Sequence, residues 1–351
     1  MNSLLSSAKV IVCVGSGGVG KTTVASALAY QAARSGRKVL VLTVDPSRRL
    51  KSTMGLDDKE ESQIKLDSGT GQLWAAIINP KQVFDDFVLR FAKDDESLKK
   101  ILNNRLYIQL STTLSGSQEF TALEKLYTSF ESQKYDLIVL DTPPTQHAID
   151  FLEAPQKLAA MFNEKITKWF RDPSSAKPGI MGRIFQQGTQ QVLKVLEKLT
   201  GSEFISELAD FFSRIQKKQK DLEARVVGAH QLLVDPQTHF VLVTSFDEAK
   251  LKEAQYFSKE IRRGGYQLST IFINRAYPKG VDLSYSPIQK NQVTQLYEKY
   301  QTWLRDRQAL YQEFSIQMSR DGRVIQLPEL LENVSNLDGV EEMANTIRDL
   351  L

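Results

Sequence analysis

The chain has 351 residues, of which 41% are hydrophobic and 25% charged, and its net charge is +3. That length implies about two domains, or one large α/β domain carrying an insertion, with apolar material enough for a full core. The small net charge and the lack of a dominant like-charge run argue against a nucleic-acid partner.

In chain order, the first apolar run, residues 10–14, reads as a buried strand. It breaks into Gly15-Ser16-Gly17-Gly18-Val19-Gly20-Lys21-Thr22-Thr23, which satisfies the spacing of a phosphate-binding loop between a strand and a helix. Glycines let the backbone turn its amides inward, and the following helix points its positive end at the same anion. Lys21 then reaches the β- and γ-phosphates, and the Thr22 hydroxyl holds Mg²⁺. The same run contains the sole cysteine, Cys13, read as a small buried hydrophobe. One thiol excludes a disulfide framework and a Cys-x-x-Cys metal site.

Further strands are expected at 39–44, 73–78, 137–140, 240–243, 271–273 and 324–325. Most are continuously apolar, as in a parallel sheet buried on both faces, and helical patterns fill the intervals. The expected fold class is α/β, a doubly wound, mostly parallel sheet, with ligands at the carboxyl ends of its strands. The interval 147–236 breaks the rhythm. It has no strand signal, and apolar stripes run along 158–170 and 204–215. The expected division is a nucleotide-binding domain of residues 1–146 and 237–351 with a helical insertion of residues 147–236.

The second strand ends at Asp45-Pro46-Ser47-Arg48-Arg49. Asp45 is suited to orienting an attacking water; it is also suited to capping the next helix, and the two roles are compatible. The strand at 137–140 runs into Asp141, an acid placed to support Mg²⁺ or its water. The stiff turn Thr142-Pro143-Pro144 follows, suited to sensing a γ-phosphate. After the strand at 271–273, Asn274-Arg275-Ala276-Tyr277 has tyrosine where a guanine reader places aspartate, so the base is read as adenine. Asn274 either bonds a purine edge or simply ends the strand. Residues 290–307 read as an amphipathic covering helix, with Val293, Leu296, Tyr297, Tyr300 and Leu304 along one side. No run reaches the roughly eighteen apolar residues of a membrane span, and no signal-peptide pattern is read, so a cytoplasmic protein is expected.

These motifs together resemble the arsenite-pump and tail-anchored-protein targeting ATPase family, relatives of the MinD and ParA ATPases. That family's loop GKGGVGKTT matches residues 15–23 at all but one position. Its first switch, Asp-Pro-Ala-His, is similar to Asp45-Pro46-Ser47-Arg48. Its second switch, DTAPTGHT, is similar to residues 141–148. Its Pro-Gly-x-x-Glu segment looks like Ser115-Gly116-Ser117-Gln118-Glu119, and its late adenine loop looks like Gln326-Leu327-Pro328-Glu329. The resemblance spans the chain and implies a cytosolic ATPase using ATP and Mg²⁺, working as a nucleotide-gated homodimer, with Asp45 preparing the water. The insertion would hold a protein client or a membrane-protein partner.

Two departures bear on mechanism. The family's lysine that reaches across the dimer is Ser16 here, which predicts slow hydrolysis unless Arg48 or Arg49 supplies the charge. Both arginines also fit a solvated surface. The family's metal- and metalloid-binding cysteines are missing, so thiol-bound arsenite or zinc is not expected. Two other functions share the loop: a MinD- or ParA-type positioning ATPase, and a nucleotide-binding protein with little turnover. The acidic C-terminal segment carries the wrong charge for an anionic membrane.

Overall fold

The computed structural model describes residues 3–44, 54, 61–66, 69–91, 118–142, 151, 219–276, 292–330 and 332–351. The chain forms two compact units. The first comprises Met1–Ile78, Leu126–Leu152 and Leu232–Leu351, and the second Asn79–Lys125 and Glu153–Gln231.

The first unit is built on one eight-stranded sheet. Its strands are β1 (Val10–Val14), β2 (Lys38–Thr43), β3 (Glu61–Ile64), β4 (Gln72–Ile77), β5 (Leu137–Asp141), β6 (Thr238–Ser245), β7 (Leu268–Asn274) and β8 (Arg323–Gln326). The order across the sheet is β3-β4-β2-β5-β1-β6-β7-β8. Every pairing is parallel except β3 with β4. The seven strands expected from apolar runs are all present, and the fold is the doubly wound α/β sheet of a phosphate-loop NTPase. β3 is the addition. Its sequence, Glu-Ser-Gln-Ile, buries only Ile64, because it lies at the sheet edge and carries no apolar run to read.

β1 lies at the centre between β5 and β6, and its five residues are buried throughout. Helix α1 (Ser3–Ser7) precedes it and helix α2 (Lys21–Arg34) follows. α2 is alanine-rich, with Ala25, Ala27, Ala29, Ala32 and Ala33 all buried, so another backbone can approach closely. The C-terminal helix, Leu337–Leu350, packs there. It buries Val340, Met343, Ala344 and Ile347, one stripe at helical spacing. Asn336 caps its first turn, accepting from Gly339 N at 3.0 Å. Arg34 of α2 reaches Glu341 and Asn345, each at 3.0 Å.

On the far side of the sheet, helix Glu248–Arg263 covers β6 and β7. The long helix Gln292–Met318 packs on it and on β8. The expected covering helix thus exists, but its apolar side is only partly covered. Leu304, Phe314 and Met318 are buried, whereas Leu296 is 70% and Trp303 44% exposed. A helix of this length runs about 40 Å, longer than the strands beneath it, so only part of one side meets the layer.

In the second unit, helices Pro80–Phe91, Gln118–Glu131 and Gln219–Val234 contribute described residues. Phe84 and Phe87 both meet Phe120 edge to face, and Arg225 forks onto the buried Glu124 carboxylate at 2.5–3.0 Å. The apolar stripes at 158–170 and 204–215 lie outside the described residues.

Candidate active site

Parallel pairing places the carboxyl ends of β1, β2, β5, β6 and β7 on one edge of the sheet. The loop of Gly15, Ser16, Gly17, Gly18, Val19 and Gly20 leaves β1 at that edge and enters α2 at Lys21. Gly15, Gly18 and Gly20 have φ of 148°, 77° and 90°, the left-handed region that favours glycine. Two of them are also required by space. A Cβ on Gly15 would lie 2.1 Å from the Val243 carbonyl oxygen, and one on Gly20 would lie 2.2 Å from Asn274 Nδ2.

Gly20 is the N-cap of α2 and no side chain caps it, so the first-turn N–H groups are left to an anion, with the helix dipole behind them. Thr22 and Thr23 sit in that first turn, half-buried. Lys21 is 6% exposed, and its Nζ donates to the Ser16 carbonyl at 2.9 Å. The ammonium is therefore already held over the loop, on a carbonyl a phosphate oxygen can replace.

Thr22 Oγ1 donates to Asp141 Oδ2 at 2.6 Å, joining the loop to the tip of β5. A hydroxyl that donates to a carboxylate still has lone pairs to offer a cation. Thr22 and Asp141 thus form a compact set of hard oxygen ligands that fits Mg²⁺. When bound, the metal would neutralise charge on the phosphates, and Thr22 and Asp141 are the residues that would hold it there.

Two further threonines lie around the acid. Thr43, the last residue of β2, donates its hydroxyl to the same Asp141 oxygen at 2.8 Å, in register with it across the sheet. Thr142 donates both its N–H (3.2 Å) and its hydroxyl (2.8 Å) to the Cys13 carbonyl, fixing the direction in which the chain leaves β5. Cys13 itself is fully buried. Burial, and then Asp141, push its thiol well above the ordinary value against the opposing pull of Lys21.

Asn274 ends β7 and is 4% exposed; its Nδ2 donates to the Val19 carbonyl at 2.9 Å. The segment Gln326-Leu327-Pro328-Glu329 leaves β8 beside it. Leu327 N donates to Ile273 O and Ala276 N to Leu327 O, each at 2.9 Å. The fold therefore brings Lys21, Thr22, Asp141 and Asn274 to one locus. Asp45, Arg48, Arg49, residues 143–148 and residues 115–117 lie outside the described residues.

Sequence reasoning missed Thr43 and the contact of Asn274 with Val19. A threonine closing an apolar strand opposite a strand-tip acid is a readable signal only once the strand order is known. Among the described residues no helix is long and apolar enough to cross a membrane.

A model of the anion-transporting ATPase family matches residues 8–347, nearly the whole chain. Among similar proteins, the putative arsenical pump-driving ATPase 1 of Aquifex aeolicus (strain VF5) is 23% identical over 97% of this chain and 78% of its own length. ATPase ASNA1 homolog 2 of Paramecium tetraurelia is 27% identical over 77% of this chain and 76% of its own. ATPase get3 of Aspergillus terreus (strain NIH 2624 / FGSC A1156) is 24% identical over 95% and 88%.

Proposed function

The chain belongs to the anion-transporting ATPase family, and from that premise we propose that it is a nucleotide-gated switch coupling ATP hydrolysis to the binding of a protein client. It is an ATP hydrolase with ATP and Mg²⁺ as cofactors, as its family is. The switch reading goes further. It has a homodimer of this chain in the cytoplasm bind a protein or membrane-protein partner through residues 147–236, while residues 1–146 and 237–351 bind nucleotide.

One observation carries the reading: a glycine loop with Lys21 seated over it is tied by Thr22 to Asp141, the acid at which the second switch begins. Whatever ligand occupies the loop acts on Thr22, and through Asp141 and Thr142 on the segment that leads towards residue 147. In this scheme Gly15, Ser16, Gly17, Gly18, Val19, Gly20 and Thr23 line the phosphates and Lys21 neutralises them. Thr22 and Asp141 hold Mg²⁺, Asp45 prepares the water, and Asn274 faces the base. Arg48 or Arg49 replaces the cation that Ser16 cannot supply.

A membrane-positioning role draws less support. The apolar face of the C-terminal helix is spent on α2 rather than offered to lipid.

The test is hydrogen exchange across residues 147–236 with ADP and with a non-hydrolysable ATP analogue, alongside phosphate release by the wild type and Lys21→Ala. Nucleotide-dependent protection in that stretch, and turnover lost in the variant, are expected. Equal protection in both states would overturn the switch and leave only the ATPase.

A further inference from the structure

Asn274 does more than face a base. From its geometry we infer that it is a positioning residue that braces the phosphate loop, an inference that rests on the loop's role in binding phosphate. Its Nδ2 reaches 255 residues back along the chain to the Val19 carbonyl, in a buried bond of 2.9 Å. A peptide unit is planar and trans, so its C=O and N–H point in opposite directions. Pinning the carbonyl of Val19 therefore pins the N–H of Gly20, which is turned away from Asn274. Gly20 is the N-cap of α2 and one of the loop amides assigned to the phosphates.

The fit is mutual. Gly20 has no room for a Cβ because the Asn274 amide fills that space at 2.2 Å, and its φ of 90° excludes most side chains in any case. The brace is itself rigid. Asn274 pairs with Ser245 of β6, and the preceding Ile273 pairs with Gln326 of β8. Ile273 O and Ala276 N are both bonded to Leu327. Arg275 holds φ 52°, a left-handed conformation rarely adopted by a non-glycine residue, which persists only where the surroundings determine it. The amide is thus delivered to Val19 by a strand end that cannot easily move.

A base reader and a loop brace make different predictions for a ligand without a base. Asn274→Leu nearly keeps the side-chain volume and adds no charge beside the phosphates, but removes the N–H donated to the Val19 carbonyl. With inorganic tripolyphosphate as the probe, scored as an inhibitor of ATP turnover, the brace predicts that the variant binds it at least about 10-fold more weakly. ATP should lose affinity by a similar factor, and kcat should fall with it. Weaker ATP binding with tripolyphosphate unchanged would leave Asn274 a base reader only and overturn the brace, as would no change in either.

A wild-type measurement keeps the inference open to refutation if the variant does not fold. The Asn274 side-chain amide resonance should shift and gain exchange protection on adding tripolyphosphate. Indifference of that resonance overturns the brace. If the wild type binds neither ATP nor tripolyphosphate, the phosphate-loop reading falls and the brace falls with it.

Discussion

Thr43 Oγ1 donates to Asp141 Oδ2 at 2.8 Å, although 98 residues separate the two along the chain. The bond links the end of β2, two residues before Asp45, to the acid assigned to the metal. Were the Thr22 hydroxyl drawn towards a cation, Thr43 would still donate to the carboxylate and hold its orientation. Thr43→Val, nearly isosteric and fully buried, is expected to lower kcat about 10-fold with a smaller change in KM and a higher Mg²⁺ requirement, whereas Thr43→Ser keeps the donor. Phosphate release measured against Mg²⁺ concentration checks this. Wild-type kinetics in the valine variant would show that the bond is structural only.

Two glycines of the loop are constrained for different reasons. Gly15→Ala drives a methyl group into the Val243 carbonyl of a core strand and occupies a left-handed φ as well. A loss of about 3 kcal/mol and of ATP binding is expected, because strand backbone cannot yield. At Gly18 nothing lies within 4 Å of the added Cβ, and only the φ of 77° opposes it. Gly18→Ala is expected to cost about 1–2 kcal/mol and to retain weakened binding. Urea unfolding and calorimetry with Mg·ATP compare the two, and equal effects would refute the distinction.

The buried Cys13 thiol gives a pH signature. Its folded-state pKa is raised, chiefly by burial, so the folded chain keeps a proton that the unfolded chain releases near the ordinary value of 9.0. Its contribution is fully present below that value and is lost as pH rises towards the folded pKa. The slope is at most about 1.4 kcal/mol per pH unit. Unfolding free energies at pH 7, 9 and 10 should fall faster for the wild type than for Cys13→Ala. Parallel curves would mean that the thiol ionises equally in both states.

The sheet was largely legible because its strands are buried on both faces, and burial of that kind leaves continuous runs such as Val10–Val14. β3 was not, since an edge strand facing solvent has no reason to be apolar. The helix Gln292–Met318 carried a periodic apolar pattern, yet Leu296, on the side expected to be covered, is 70% exposed. Periodicity reports that a helix can be covered, not how far along its length a partner layer extends.

Sequence alone singled out the glycine loop, its lysine and threonine, and the strand-tip acid as candidates, because close backbone approach to an anion leaves few residue choices within a short span. The tertiary structure decided which distant groups meet there: Thr43 on Asp141, and Asn274 on Val19. Those contacts depend on strand order and register, which place residues 98 and 255 positions apart within one hydrogen bond. Order and register arise from packing of the whole sheet, and no local pattern encodes them.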